Sequence, residues 1–235
     1  MLRLLQHLRS YRGNIKKFKL NFPQLPQPER PWQYFGEWSK SLRNGRSPMV
    51  DRKPWVTIAA LHWLEKSIKK GWQVFEYGMG GSTLFFLDKG CHVVSVEHHK
   101  GWYDQVSKIL KSTSLIKSYL EEPSAQNLNP VYESQFKKWK GMNFESYVRV
   151  AETLPDQRLD LALVDGRARN QCIVAIMDKV KPGGFLLLDN SERSRYQAAI
   201  EMLQQAGWTT THFAGPGFYE QGAFWCTSLF QKPRV

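Results

Sequence analysis

Residues 74–86 read VFEYGMGGSTLFF. A short apolar run suited to one buried strand reaches Glu76, a tight glycine-rich turn follows from Gly78, and Ser82-Thr83 opens a stretch of helical character. Glycines let a backbone take positive φ and come close to a ligand. In open α/β sheets ligands sit beyond the carboxyl ends of the strands, where the strand order reverses. This stretch therefore predicts a strand–turn–helix unit with a ligand at its turn.

Downstream of that turn, short apolar runs alternate with helical patterns. The runs are 72–77, 92–97, 115–120, 159–165, 184–189, 208–213 and 223–230. Helical patterns fill 82–88, 101–112, 144–153, 168–180 and 193–206. Such alternation implies βαβ units and a mostly parallel sheet with right-handed crossovers. Between the last two runs AGPGFYEQG is turn chemistry, so that pair reads as antiparallel. The prediction is a Rossmann-like, doubly wound α/β domain with a seven-stranded, mostly parallel sheet and an antiparallel last strand. Residues 121–143 lack pattern and read as a flap or inserted loop near the site.

Upstream, Pro54 suits the first turn of a helix running to about Lys70, with Gly71 as its stop. Segment 32–44 also reads as a helix, and 21–31, with four prolines, as an extended linker. Residues 1–50 are accordingly taken as a basic helical N-terminal extension and linker, and 51–235 as the catalytic domain. At the start of the chain, Leu2, Leu4, Leu5 and Leu8 line one side of a short helix.

The turn narrows the ligand. From Gly78 it reads GMGGST, with Ser or Thr where the dinucleotide fingerprint GxGxxG needs its third, packing glycine. A carboxylate just before the turn repels phosphates and suits the ammonium of an amino-acid tail, which favours S-adenosylmethionine. Glu97 ends the second strand, 21 residues after Glu76, where a carboxylate accepts hydrogen bonds from ribose hydroxyls. That device serves any adenosine ligand.

The succession E-x-G-x-G-G-S-T, V-S-V-E, L-V-D-G and K-P-G-G-F-L-L-L-D-N resembles the class I S-adenosylmethionine-dependent methyltransferase family over roughly residues 72–231. The resemblance implies that Glu76, Gly78 and Gly80 hold the methionine part of the cofactor and Glu97 the ribose. Ser82, His98 and Asp165, which border these positions, complete the cofactor-binding set. The end of the third strand carries no adenine-contact pattern.

Asp165 ends one strand and Asp189-Asn190 the next, so their polar groups meet beside the cofactor turn. Two carboxylates and an amide oxygen are hard ligands, and the set is similar to that of catechol-type metal-dependent O-methyltransferases. It implies Asp165, Asp189 and Asn190 as catalytic residues and as ligands of Mg²⁺. Without a metal, Asp189 or one of His98, His99 and His212 serves as general base. Arg167 and Arg169 follow Asp165 and suit an acidic substrate group. The expected reaction is O-methylation of a hydroxylated small molecule, a sugar or glycan unit among the options.

Rival readings are weaker. An NAD(P)-dependent oxidoreductase conflicts with the missing third glycine. A nucleic-acid methyltransferase is prompted by the net charge of +12. That charge lies upstream, however: residues 1–75 hold 15 Lys/Arg against 4 Asp/Glu, and the remainder 18 against 17. No [DNS]-P-P-[FYW] motif follows the fourth strand. The basic N-terminal segment suits a peripheral membrane contact or another anionic partner. The three cysteines, Cys91, Cys172 and Cys226, form no CxxC pair, and with no apolar run long enough for a span the reading is cytoplasmic.

Overall fold

A computed structural model describes residues 2–28, 30–110, 113–126, 129–134 and 136–234. Four helices come first: α1 (Leu2–Asn21), α2 (Phe35–Ser41), α3 (Pro48–Asp51) and α4 (Ile58–Ser67). Then follow β1 (Gln73–Tyr77), α5 (Gly81–Asp88), β2 (His92–Glu97), α6 (Lys100–Ile109) and β3 (Ile116–Leu120). The second half contains α7 (Glu145–Arg149), β4 (Leu159–Val164), α8 (Arg169–Ile176), β5 (Val180–Asp189), α9 (Gln197–Gln205), β6 (Thr209–Pro216) and β7 (Phe224–Gln231).

The seven strands form one sheet in the order β3-β2-β1-β4-β5-β7-β6. Strands β1 to β5 pair in parallel, and β7 runs antiparallel to both β5 and β6. The chain winds outward from β1 to β3, returns to the other side of β1 at β4, and winds the opposite way. A crevice opens at that reversal, beyond the ends of β1 and β4.

Period-2 alternation along the central strands supplies two cores. Leu161 and Leu163 of β4 join Val74, Leu187 and Leu229 under α1, α2, α4 and α5, whereas Ala162 and Val164 join Phe75, Leu186 and Leu188 under α7, α8 and α9. Both faces of the sheet are thus covered, as a parallel sheet requires. Helix α5 is apolar around its whole circumference, with residues 81–86 all buried, and so sits inside the domain.

Three local readings change. The helix expected from Pro54 starts at Ile58, because the chain before it is extended and sewn to the last two strands. Thr57 donates its N–H to Thr227 Oγ1 (3.1 Å) and its hydroxyl to the Phe213 carbonyl (3.0 Å). It stops at Ser67, and Gly71, at φ +83°, turns the chain into β1. Helix α1 is 20 residues long, and its buried side is not the leucine side: Leu4 and Leu5 are exposed, while His7, Tyr11, Asn14 and Phe18 face inward. The Tyr11 ring lies 4.9–5.2 Å from the rings of Trp32, Phe35, Trp38 and Phe224, and its hydroxyl donates to the Pro31 carbonyl (2.7 Å). Asn14 Nδ2 donates to the Gln221 carbonyl (2.9 Å). The basic segment is packed against the strand that borders the crevice.

Candidate active site

The crevice holds a cavity of about 770 Å³, within the range of sites that enclose a cofactor-sized ligand. Its floor is the glycine turn. Gly78 has φ +104°, and a Cβ there would stand 3.3 Å from the backbone of Asp165 and Gly166. Gly81 abuts the carbonyls of Pro48 and Lys53, so helix α3 and the residues after it seal the turn from the other side. Trp102 closes a third side: its indole N–H donates to the Met79 carbonyl, and its ring lines the cavity.

Glu76 lies beneath this turn and is not part of the cavity wall. It is fully buried, and its carboxylate accepts the hydroxyls of Ser82 (2.6 Å) and Thr83. Thr83 Oγ1 in turn accepts the Gly80 N–H (2.9 Å). Burial pushes the Glu76 carboxyl up to about 7, against the pull of those hydroxyls. The acid predicted to touch the cofactor therefore fixes the shape of the turn and the start of α5. Ser82 lines the cavity while its hydroxyl serves Glu76.

Glu97 does line the cavity. It accepts the N–H groups of Met79 (3.0 Å), His98 (2.8 Å) and His99 (2.7 Å). A carboxylate offers about four acceptor positions; the three N–H groups leave one, and His98 Nδ1 stands 2.9 Å from Oε1. His98, also in the wall, is boxed by the rings of Trp139, Phe144 and Tyr147 at 5.4–5.9 Å. Trp139 and Lys138 bring the 121–143 insertion to the site. His99 caps α6 by accepting the Trp102 N–H (3.2 Å). His212 is not in the cavity wall; its Nδ1 lies 2.7 Å from Ser228 Oγ.

Asp165, Asp189 and Asn190 all border the cavity, and Asn190 takes a left-handed backbone (φ +53°). They fit a Mg²⁺ set poorly, because protein donors take one oxygen of each carboxylate and the Arg169 cation already stands against Asp165. Asp189 Oδ1 accepts Thr227 Oγ1–H (2.6 Å) and Trp225 Nε1–H (2.9 Å). Asp165 Oδ1 accepts Arg169 Nη2 (2.9 Å), which also reaches the Asp165 carbonyl (3.2 Å). Arg169 Nε donates to the Gly166 carbonyl (3.0 Å) and Nη1 to that of Asp189. The buried guanidinium stitches the ends of β4 and β5 together and supplies the positive charge that the metal was expected to bring. Among the described residues no group of three or more His, Cys, Asp or Glu side chains is placed to hold a metal ion.

The two acids still disturb each other. Asp165 is pushed up to about 7, first by its enclosure and then by the charge of Asp189, with Arg169 opposing. Enclosure also raises Asp189, against Arg169 and the Thr227 and Trp225 donors. The sequence did not disclose one wall of the cavity. Asn14, Lys17 and Phe18 of α1 form it together with Phe224 and Trp225 of β7. The only hint is the 7-11-14-18 spacing of His, Tyr, Asn and Phe.

No family model and no curated protein matches the chain. Among solved structures it is similar to precorrin-6y C5,15-methyltransferase from Geobacter metallireducens: 12% identity, 74% of this chain and 87% of that one, TM-score 0.50. The chain has the class I methyltransferase fold. A protein from Corynebacterium glutamicum is similar at 11% identity over 86% of this chain and 97% of its own length, with a TM-score of 0.53. At these identities the likeness concerns the fold.

Proposed function

We propose that the chain is an S-adenosylmethionine-dependent methyltransferase acting on a hydroxyl of a small molecule. The observation that carries this reading is the pairing of the Gly78 turn with Glu97, a carboxylate aimed into the cavity by three backbone N–H groups. The residues fit the cofactor: the turn backbone would hold its amino-acid end, Glu97 its ribose, and Trp102 and His98 would flank it. When bound, it supplies a methyl group on a positively charged sulfur. A dinucleotide fits less well, because the first hydroxyls of α5 are already committed to the buried carboxylate of Glu76, leaving a poor seat for pyrophosphate.

Asp165 is the base in this reading. Enclosure and the Asp189 charge raise its carboxyl well above the ordinary carboxylate range, which gives the carboxylate proton affinity to use. Its Oδ1 is held by Arg169, and its Oδ2 has no hydrogen-bond partner among the described residues. Oδ2 accepts the proton of the acceptor hydroxyl as that oxygen attacks. Arg169, itself anchored on the carbonyls of Gly166 and Asp189, holds the base in place. The aromatic rings of Phe224 and Trp225 in the wall suit a ring-shaped acceptor such as a sugar.

The test is transfer of tritium from methyl-labelled S-adenosylmethionine to a panel of hydroxylated small molecules. Asp165→Asn is expected to lower transfer at least a hundredfold with affinity for S-adenosylhomocysteine within about threefold of the parent. Label appearing only on nitrogen acceptors, or full transfer by the variant, contradicts the assignment.

A further inference from the structure

The cavity wall carries five acids and five Lys/Arg bases, and every one of the acids already accepts a hydrogen bond from the protein. Asp165, Asp189 and Glu97 are engaged as described above. Glu192 accepts the Cys226 N–H (3.0 Å) and lies 3.5 Å from Arg193, and Glu220 accepts the Gly222 N–H (2.6 Å). Among the bases Arg169 is spent on β4 and β5.

Arg167 is different. Its side chain is half-buried and lines the cavity, with the guanidinium 4.9 Å over the Phe136 ring. Its hydrogen bond is a long one, from Nη1 to the Gly166 carbonyl (3.4 Å), and its Nε is buried without a partner. Among the described residues no carboxylate lies within 4 Å of it. Enclosure and the neighbouring Arg169 charge lower its proton affinity by more than Tyr147, Asp165 and Tyr196 raise it, the mark of a cation only partly compensated. Enclosing an unpaired guanidinium is costly unless a partner arrives, and its planar fork matches carboxylate and phosphate oxygens. Lys17 from α1, Lys138 from the insertion and Arg193 beyond β5 border the same cavity, adding positive charge from three other elements.

We propose that Arg167 anchors a carboxylate or phosphate group of the methyl acceptor, so that the substrate is a hydroxylated acid. This rests on the methyltransferase reading above. The cofactor's own carboxylate is the other source of such an anion. The acceptor is favoured because the Arg167 guanidinium lies over the Phe136 ring of the 121–143 insertion, which Arg195, beyond the end of β5, also approaches at 6.0 Å.

The experiment titrates inorganic phosphate into the full-length protein, with and without saturating S-adenosylhomocysteine, by calorimetry. The parent is expected to bind phosphate in both states. Arg167→Met is expected to weaken phosphate at least tenfold with S-adenosylhomocysteine affinity within twofold, and Arg167→Lys to lie between. Equal phosphate affinity in parent and variants overturns the proposal. So does loss of S-adenosylhomocysteine affinity in Arg167→Met with unchanged binding of methylthioadenosine, which lacks the amino-acid tail, because the cation would then serve the cofactor. Failure of the parent to bind S-adenosylhomocysteine sinks the methyltransferase reading instead, and phosphate binding to the unliganded protein and its variants still decides the role of Arg167. If Arg167→Met does not fold, Arg167→Lys carries the comparison.

Discussion

Replacing Glu76 by Gln isolates the cost of the buried acid beneath the turn. In the folded chain this carboxyl is pushed to about 7 from an ordinary 4.5. An acid raised on folding holds its proton more tightly in the folded state than in the unfolded one. It is least costly to the fold below pH 4.5, where both states are protonated. The penalty grows as pH rises through 4.5 toward 7 and levels off above about 8. Linkage puts the change between pH 5 and pH 8 at roughly 2–3 kcal/mol. Glutamine has the same shape, keeps one carbonyl to accept a hydroxyl, and does not titrate. The assay is urea unfolding of parent and Glu76→Gln across that interval. Because every other titrating group is common to both proteins, the difference reports position 76. The stability gap is expected to move by roughly 2–3 kcal/mol in favour of the glutamine variant as pH rises. A gap constant within about 0.5 kcal/mol would mean that the carboxylate is not enclosed as described.

Other consequences follow from the same geometry. Gly78→Ala forces a side chain into positive φ against the Asp165 backbone; a loss of about 1–3 kcal/mol in urea unfolding is expected, with weaker cofactor binding by calorimetry. Tyr11→Ala removes a fully buried ring from the aromatic cluster between α1 and β7 and is expected to cost about 3–5 kcal/mol, measured the same way; a loss below about 1 kcal/mol would mean that α1 is not docked on β7. Asp189→Asn removes a charge that raises Asp165, so the acid limb of the pH profile of kcat/KM is expected to move from about 7 to lower pH. Exhaustive chelation is expected to leave transfer unchanged, because Arg169 holds the carboxylate that a metal would need.

The sheet was legible because its information is local. The apolar run 159–165, the glycines at 78–81 and the carboxylate at 97 each report their own surroundings. The partners of a charged side chain are not local. Nothing in VDGRAR says that Arg169 turns inward to Asp165 and the end of β5 while Arg167 does not, yet that choice decides against a metal. Helix α1 escaped for a related reason. Its buried side includes His7 and Asn14, whose hydrogen bonds go to Ser39 (2.7 Å) and Gln221, so hydrophobic periodicity does not mark it. The helix start at Ile58 was missed because Thr57 is claimed by β6 and β7, more than 150 residues away.

Calorimetric titration of S-adenosylhomocysteine, with NADH in parallel, tests the central claim most directly. One molecule per chain is expected to bind, Glu97→Ala to weaken it at least thirtyfold, and NADH to give no heat. Binding of NADH with none of the nucleoside thioether, or an affinity indifferent to position 97, would contradict the account.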